Sequence, residues 1–414
     1  MQTKGSASTR IWSRDFILAI VINFALAAVF YLLMTTMALY AIQRFMANDS
    51  LAGLTAGAYV IGAIVSRLLT SKYLDLVGRR RTVILGLAAF VVLSGLYLVV
   101  TDLTVLIGLR FVHGLAFGAA STAIVASAIM LVPRAKRAEG SGYFSISATV
   151  AAGIGPLIGT LVIGAGGYEG IFWAGTVASI LGLAAALFIR LPEREPSEEE
   201  LRTRWRIRAS DLLEVRAMPI SIIMLLGGLG WSGVLAFYLN YADATGSAGE
   251  VGAFFTIYAV IVFVVRLVAG RIQDRFGDNA VFYPALAVFA VGLVIIAIPP
   301  TLPVAIVGAV LSAIGFGSLM PGGQAAAISA ATPERVGVAT STFFIMADAG
   351  IGFGPVILGA LLPVTGYDGM YLGLAALMVL TIGVYTLTHG RKRQGVTPRR
   401  GFPQDVSASP SSPR

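Results

Sequence analysis

Cysteine is absent from all 414 residues, which excludes disulfides and thiolate chemistry. Histidine occurs twice, at His113 and His389, so a histidine-based metal site is not expected, and neither is any cofactor. Charge is scarce as well. Asp, Glu, Lys and Arg make up 12% of the chain, against about 25% in a soluble domain. An intramembrane enzyme needs a clustered nucleophile, base or ligand set, yet Asp348 is the only acid near the middle of a long apolar run. The absences therefore argue against an enzyme and against a water-soluble domain.

What is present is apolar. Hydrophobic residues make up 57% of the chain, and runs such as 83–100 and 172–187 are long and unalternating, which indicates membrane-spanning helices rather than a barrel. At about 20 residues per span, twelve helices are predicted, at 15–40, 52–73, 82–101, 104–130, 140–164, 168–189, 218–241, 250–271, 280–298, 303–328, 337–363 and 369–388. The first run is longer than the apolar region of a signal peptide and reads as a span.

The loops predict an orientation. One set of connections holds the acids Asp49, Asp102, Glu169, Asp243, Glu250 and Asp368 against a single basic residue, Arg44. The other set holds Lys72, Arg79, Arg80, Arg81, Arg134, Lys136, Arg137, Arg271, Arg275, Arg335 and the run Arg391-Lys392-Arg393. Basic loops stay in the cytoplasm, so both termini are expected there. The net charge of +9 is thereby a matter of topology, and no nucleic-acid partner is expected. The polar segment 191–217 divides the chain into bundles 1–190 and 218–388 and carries a capping-box pattern, Ser197 to Glu200. Arg202, Arg204, Trp205, Arg206 and Arg208 suit either a helix lying among lipid headgroups or a solvated tether. The tail 389–414, rich in Arg, Pro and Ser, is expected to be disordered.

One register relates the two bundles. Arg67, Asp75 and Gly78 return 199 positions later as Arg266, Asp274 and Gly277, and Gly153, Gly155 and Pro156 return as Gly352, Gly354 and Pro355. Duplicated apolar halves are how transporters build a binding site at the interface between repeats, so transport is the leading expectation.

The stretch Ser71-Lys-Tyr-Leu-Asp75-Leu-Val-Gly78-Arg79-Arg80-Arg81, with its copy Gly270-Arg-Ile-Gln-Asp274-Arg275-Phe-Gly277, resembles the loop signature of the major facilitator superfamily. The first copy departs at Ser71 and Leu76, the second after Gly277 with Asp278-Asn279. Arg110-Phe-Val-His113-Gly114 resembles that family's fourth-span motif, which implies an arginine associated with proton transfer. The segments around Gly155-Pro156 and Gly354-Pro355 resemble the antiporter motif of its drug/proton antiporter branch, although Ala151 and Thr160 replace outer glycines.

The resemblance implies an all-α integral membrane protein, twelve transmembrane helices in two six-helix repeats around a central cavity. It also implies a monomeric, proton-coupled exporter of a small amphipathic molecule in a bacterial inner membrane. Uptake of a sugar or organic acid, export of a metal chelator, or a sensor without transport are the rivals. Asp75 and the arginines after it are read as a latch near span 11, or as topogenic charge. Arg110 either faces a polar cavity or snorkels to the outer surface, and His113 either titrates or is hydrogen-bonded in place. Asp348, whose repeat partner is the neutral Thr149, is either a proton carrier or a brace paired with Arg67, Arg266 or Arg110. In the family geometry spans 1, 4, 7 and 10 line the cavity. Asn23, Tyr31, Thr35, Trp231, Tyr238, Asn240 and Gln324 are then substrate contacts, unless each serves packing.

Overall fold

A computed structural model describes residues 11–133, 137–193, 198–203, 213–332 and 335–391. Ser197, Arg204, Trp205, Arg206, Arg208 and the tail beyond residue 391 lie outside the described residues. The long helices are α1 (Arg14–Phe45), α2 (Asp49–Val77), α3 (Arg79–Leu96), α4 (Leu103–Ala128), α5 (Arg137–Gly166) and α6 (Tyr168–Phe188). They continue with α7 (Met218–Ala244), α8 (Glu250–Phe276), α9 (Asn279–Ile296), α10 (Leu302–Ala330) and α11 (Val336–Tyr385). A short helix, Glu198–Thr203, lies in the central segment.

Local chemistry sets the helix starts. Ser13, Asn48 and Asp102 each accept a backbone N–H three residues on, satisfying donors that helix termini leave orphaned. The turns obey the repeat. Gly78 and Gly277 have φ of 95° and 83°, and Gly167 and Gly366, also 199 apart, have 76° and 65°. Those angles are costly for any residue with a Cβ.

Ten helices among the described residues are long and apolar enough to cross a membrane. The expected count of twelve exceeds this for two visible reasons. Helix α3 begins with Arg79, Arg80 and Arg81, which put three charges into a helix of only 18 residues. Helix α11 runs for 50 residues as one unit although Gly366 (φ 65°, ψ 176°) breaks it into two limbs that correspond to α5 and α6.

Helices α1 to α6 pack among themselves, as do α7 to α11, and the main joins between the sets are α2 with α11, α5 with α8, and α1 with α7. The face that holds Ser13 and Gly390 is here the terminal face. At the opposite, far face, α2 and α11 meet backbone to backbone: a Cβ on Gly53 would strike the Pro355 carbonyl, one on Gly57 the Gly352 carbonyl, and one on Gly359 the Asp49 carbonyl. Ser50 donates to the Gly359 carbonyl at 3.4 Å, and Gln43 donates to Asp243 at 3.2 Å. Small residues permit this approach, as is usual where spans pack without a hydrophobic drive between them.

At the terminal face each set ties down its own loops. Arg79 pairs with Asp75 at 2.7 Å, and the Glu193 carboxylate accepts the backbone N–H groups of Arg79 and Arg80 at 2.8 and 2.9 Å. An anion there complements the N-terminus of α3, which has no side-chain cap of its own. Arg80 also donates to the carbonyls of Leu187 and Ile189 at the end of α6. In the second set, Asp278 bonds Gln273 and His389, both at 2.9 Å.

Candidate functional site

Two cross-links join the sets at depth, and the repeat operation exchanges them. Arg67 on α2 meets Asp348 on α11, with Nη2 and Oδ2 3.1 Å apart. Arg266 on α8 donates through Nη1 to the hydroxyl of Thr149 on α5. Adding 199 to Arg67 gives Arg266, and subtracting it from Asp348 gives Thr149. The same backbone positions thus build a charged pair on one side and a charge-to-neutral contact on the other.

The chemistry differs accordingly. Asp348 and Arg67 cancel in charge, whereas the Thr149 hydroxyl donates its own proton to the Ser145 carbonyl at 3.1 Å and offers Arg266 only a lone pair. Nε of Arg266 is buried and has no hydrogen-bond partner among the described residues. Arg67, Asp348 and Arg266 together carry one net positive charge in a layer where an unpaired arginine costs at least about 2.5 kcal/mol. Tyr31 of α1, half-buried, lies within electrostatic reach of both Arg266 and Asp348. Two turns along α8 from Arg266, Tyr258 stacks on Trp231 (4.3 Å between centroids, 18°), which stacks in turn on Phe316 (5.1 Å, 11°).

A family model described as Major Facilitator Superfamily matches residues 19–246 and 220–411. The chain belongs to the major facilitator superfamily. It is therefore a membrane transporter rather than an enzyme. An uncharacterized MFS-type transporter of Salmonella typhimurium is 24% identical over 363 residues, covering 84% of this chain and 90% of that protein. A relative described the same way from Burkholderia pseudomallei is 23% identical over 352 residues, covering 82% and 84%. The fold is shared with the nucleoside transporter NupG (TM-score 0.73, 13% identity, 90% of this chain and 99% of that one). It is also shared with a bacterial homolog of the human lysosomal transporter Spinster in an inward-facing, unoccupied conformation (TM-score 0.71, 15% identity, 93% and 96%).

In this superfamily member the other residues singled out by sequence fall in several places. Arg110 is buried and does not reach the outer surface: Nε and Nη2 donate to the carbonyls of Thr55 and Ala56 at 2.9 and 3.0 Å, and the guanidinium lies 4.7 Å from the Tyr59 ring. His113 is also buried, with Nε2 3.2 Å from the Ser94 hydroxyl and Nδ1 3.1 Å from the Tyr97 hydroxyl. Both fasten helices of the first set to one another, and neither is brought to Asp348. Asn23 donates to Ser147 across α1 and α5 at 2.8 Å. Thr35 bonds its own helix at the Tyr31 carbonyl. Tyr238 is buried against Phe254, 4.4 Å between centroids, and Asn240 is buried near it. Gln324 is half-buried on α10. Of the expected contacts, Tyr31 alone sits beside the cross-links.

The motif glycines serve close approach. Gly155 packs on Tyr31 and Leu32 of α1, Gly354 on Ser232 of α7, and the carbonyl of Pro355, next to it, meets Gly53. Pro156 lies inside α5 just beyond Gly155. The loop copies diverge: Asp75 pairs with Arg79, whereas Asp274 is exposed and Arg275 lies over the Phe276 ring at 5.2 Å. A Cβ on Gly270 would meet open space.

The sequence marks Arg266 only as one possible partner of Asp348, and Thr149 only as its neutral copy. Applying the 199-residue offset to both partners of a suspected pair would have found their contact. Sequence reasoning also passed over Glu214, which pairs with Arg335 at the start of α11 and whose N–H donates to Thr342 at 2.8 Å. The Arg335 guanidinium, helped by the Arg216 N–H, holds the Glu214 carboxyl below its ordinary range.

Proposed function

We propose that this transporter exports a small amphipathic solute in exchange for protons, with two bundles, 1–190 and 218–388, rocking about the Arg67–Asp348 layer. The membrane is a bacterial inner membrane, both termini are cytoplasmic, and the unit is a monomer. On that orientation the far face is periplasmic, and its backbone seam supports reading this arrangement as the one closed on the periplasmic side.

The observation that carries this reading is the ion pair between Arg67 and Asp348, a titratable carboxylate that spans the two bodies expected to move. Protonating Asp348 removes its charge and dissolves the Coulombic part of the pair, so the balance between the two access states changes with proton occupancy. A ligand drives such a shift only through different affinity for the two states. Arg110 and His113 belong to the frame that holds α2 and α4 rigid while this happens, and Tyr31 faces the pair from α1. The Asp75–Arg79 loop is the latch that engages α11 when the cytoplasmic side closes.

Flux under an imposed pH gradient in proteoliposomes tests the reading on Asp348→Asn, which imitates the protonated acid. Gradient-driven flux should vanish while solute binding persists. Normal flux in that variant rejects the carrier role. Loss of solute binding together with flux assigns Asp348 to bracing. The direction of solute movement relative to protons separates export from uptake of a sugar or organic acid.

A further inference from the structure

We propose that Arg266 and Thr149 form the head-group site for a single-chain anionic amphiphile, a carboxylate on a hydrocarbon tail, whose tail lies in the groove between α5 and α8. This deepens the export reading by naming the charge and shape of the solute, and it rests on that reading for the claim that the ligand is cargo.

Charge is the first argument. The repeat places an arginine at both equivalent positions and a carboxylate beside only one of them. Thr149 cannot neutralise Arg266, since its hydroxyl carries no charge and, with its proton on the Ser145 carbonyl, offers the guanidinium only a lone pair. Nε of Arg266 remains buried without a partner among the described residues. In a low-dielectric layer a cation recruits a counter-charge, and a bound carboxylate would supply here what Asp348 supplies to Arg67.

Shape is the second. Thr149 is also the polar end of a groove of about 330 Å³ walled by Val150, Gly153, Ile154, Ala259, Val260 and Phe263, which is within the usual range for ligand sites. Thr256, the other polar residue there, satisfies itself on the Gly252 carbonyl at 2.8 Å, so the remaining wall is hydrocarbon. Val150, Ile154, Val260 and Phe263 are exposed on the outer surface of the bundle. The groove therefore opens sideways to the bilayer, and it closes inward where Gly153 of α5 meets Ala259 of α8. A tail can enter from lipid while the head is drawn to Arg266, which, unlike its repeat counterpart Arg67, has no carboxylate beside it among the described residues. The head of a bilayer phospholipid is held at the interface, whereas Arg266 lies ten residues inside the end of α8, about 15 Å along the helix axis. A free single-chain amphiphile reaches that depth.

Equilibrium binding in nanodiscs of phosphatidylcholine tests this with radiolabelled dodecanoate against dodecyltrimethylammonium, which shares the tail and reverses the charge. Wild type should favour dodecanoate by about ten-fold or more. Thr149→Asp gives Arg266 the internal carboxylate that its counterpart already has. It should reduce dodecanoate affinity by at least about ten-fold without lowering the melting temperature. Arg266→Gln should lose dodecanoate to a similar extent, and Val260→Trp, which fills the groove, should weaken both amphiphiles.

Equal binding of the two amphiphiles overturns the proposal, as does wild-type dodecanoate affinity in Thr149→Asp. Replacing part of the phosphatidylcholine by phosphatidylglycerol should leave dodecanoate binding unchanged, and strong competition would give the site to a bilayer lipid and sink the idea. A protein that moves another solute down a pH gradient but fails these binding tests keeps the export reading and loses this one.

Discussion

Gly78 and Gly277 turn the chain with φ of 95° and 83°, and the residue after each is buried, yet one is Arg79 and the other Asp278. Arg79 finds Asp75, and Asp278 finds Gln273 and His389. The same inequality appears deeper, where Asp348 in one set corresponds to Thr149 in the other. The fold thus demands the backbone conformation at these places and tolerates either sign of charge, or none, provided that each polar group is satisfied locally. Duplicated geometry carries the architecture, and the charges that differ between copies are where the halves acquire separate tasks.

The comparison can be broken hardest at the seam. Gly352→Leu drives a side chain into Val60 and the backbone at Ile61, and overpacking of this kind costs about 1–3 kcal/mol or more. Folded yield by size-exclusion chromatography should fall sharply. Gly270→Ala, with open space around it inside a helix, should be neutral or stabilising by up to about 1 kcal/mol and serves as the control. Similar behaviour of the two variants would contradict the close approach of α2 and α11.

Next in size are the two cross-links. Asp348→Asn strands Arg67 and should lower stability by about 1–3 kcal/mol, reduced from the fully buried case because both side chains are about one-fifth exposed. Thr149→Val removes only a neutral acceptor and should cost about 1 kcal/mol or less. Thermal melts of both variants at one pH check the ranking, and a larger loss for Thr149→Val would reverse the assignment of the charged brace.

The loop copies predict a smaller contrast. Asp75→Asn weakens the pair with the buried Arg79, although the carboxamide oxygen can still accept from the guanidinium, and should cost about 1–2 kcal/mol, while Asp274→Asn, on an exposed side chain, should be silent in the same melt. The labelled fraction open to each side should shift for Asp75→Asn alone.

The smallest effect concerns pH. Glu214 is held below its ordinary value chiefly by Arg335. Its contribution to stability is therefore complete above the unfolded carboxyl value, about 4.3, and is lost as pH falls through the lower folded one. Glu214→Gln should lower the melting temperature slightly at neutral pH and make no difference once the pH is below the folded value. A constant gap between the two proteins down to strongly acidic pH would contradict the pairing.

Much of the fold was legible because apolar runs report length and the repeat reports register. The paired left-handed glycines at 78 and 277, and at 167 and 366, fall where the offset requires. What could not be read was rotation about each helix axis. A span that is apolar on all sides gives no stripe to say which face meets a neighbour, so Asn23 and Trp231 looked like cavity residues although Asn23 bonds Ser147 and Trp231 lies within an aromatic stack. For Arg110 the sequence left open a polar cavity or the outer surface, because its depth was known and its direction was not. The carbonyls of Thr55 and Ala56 that hold it belong to another helix, and backbone acceptors leave no mark in a sequence. Asp348 was legible as an oddity, while its choice of Arg67 over Arg266 depended on which helices touch.

The seam between α2 and α11 has a kinetic meaning. Where Gly53, Gly57, Gly352 and Gly359 line the seam, only short side chains, Val60 against Gly352 and Val356 against Gly57, lie between the two main chains. Parting them withdraws two valine side chains from shallow glycine hollows, and a β-branched side chain has little rotamer freedom to reorder. What separation uncovers is a row of peptide carbonyls that water can solvate as fast as it arrives. In the proposed rocking of the bundles, the speed of opening at this seam would then be set by hydration of the crevice, and reclosure by drying of the same surface.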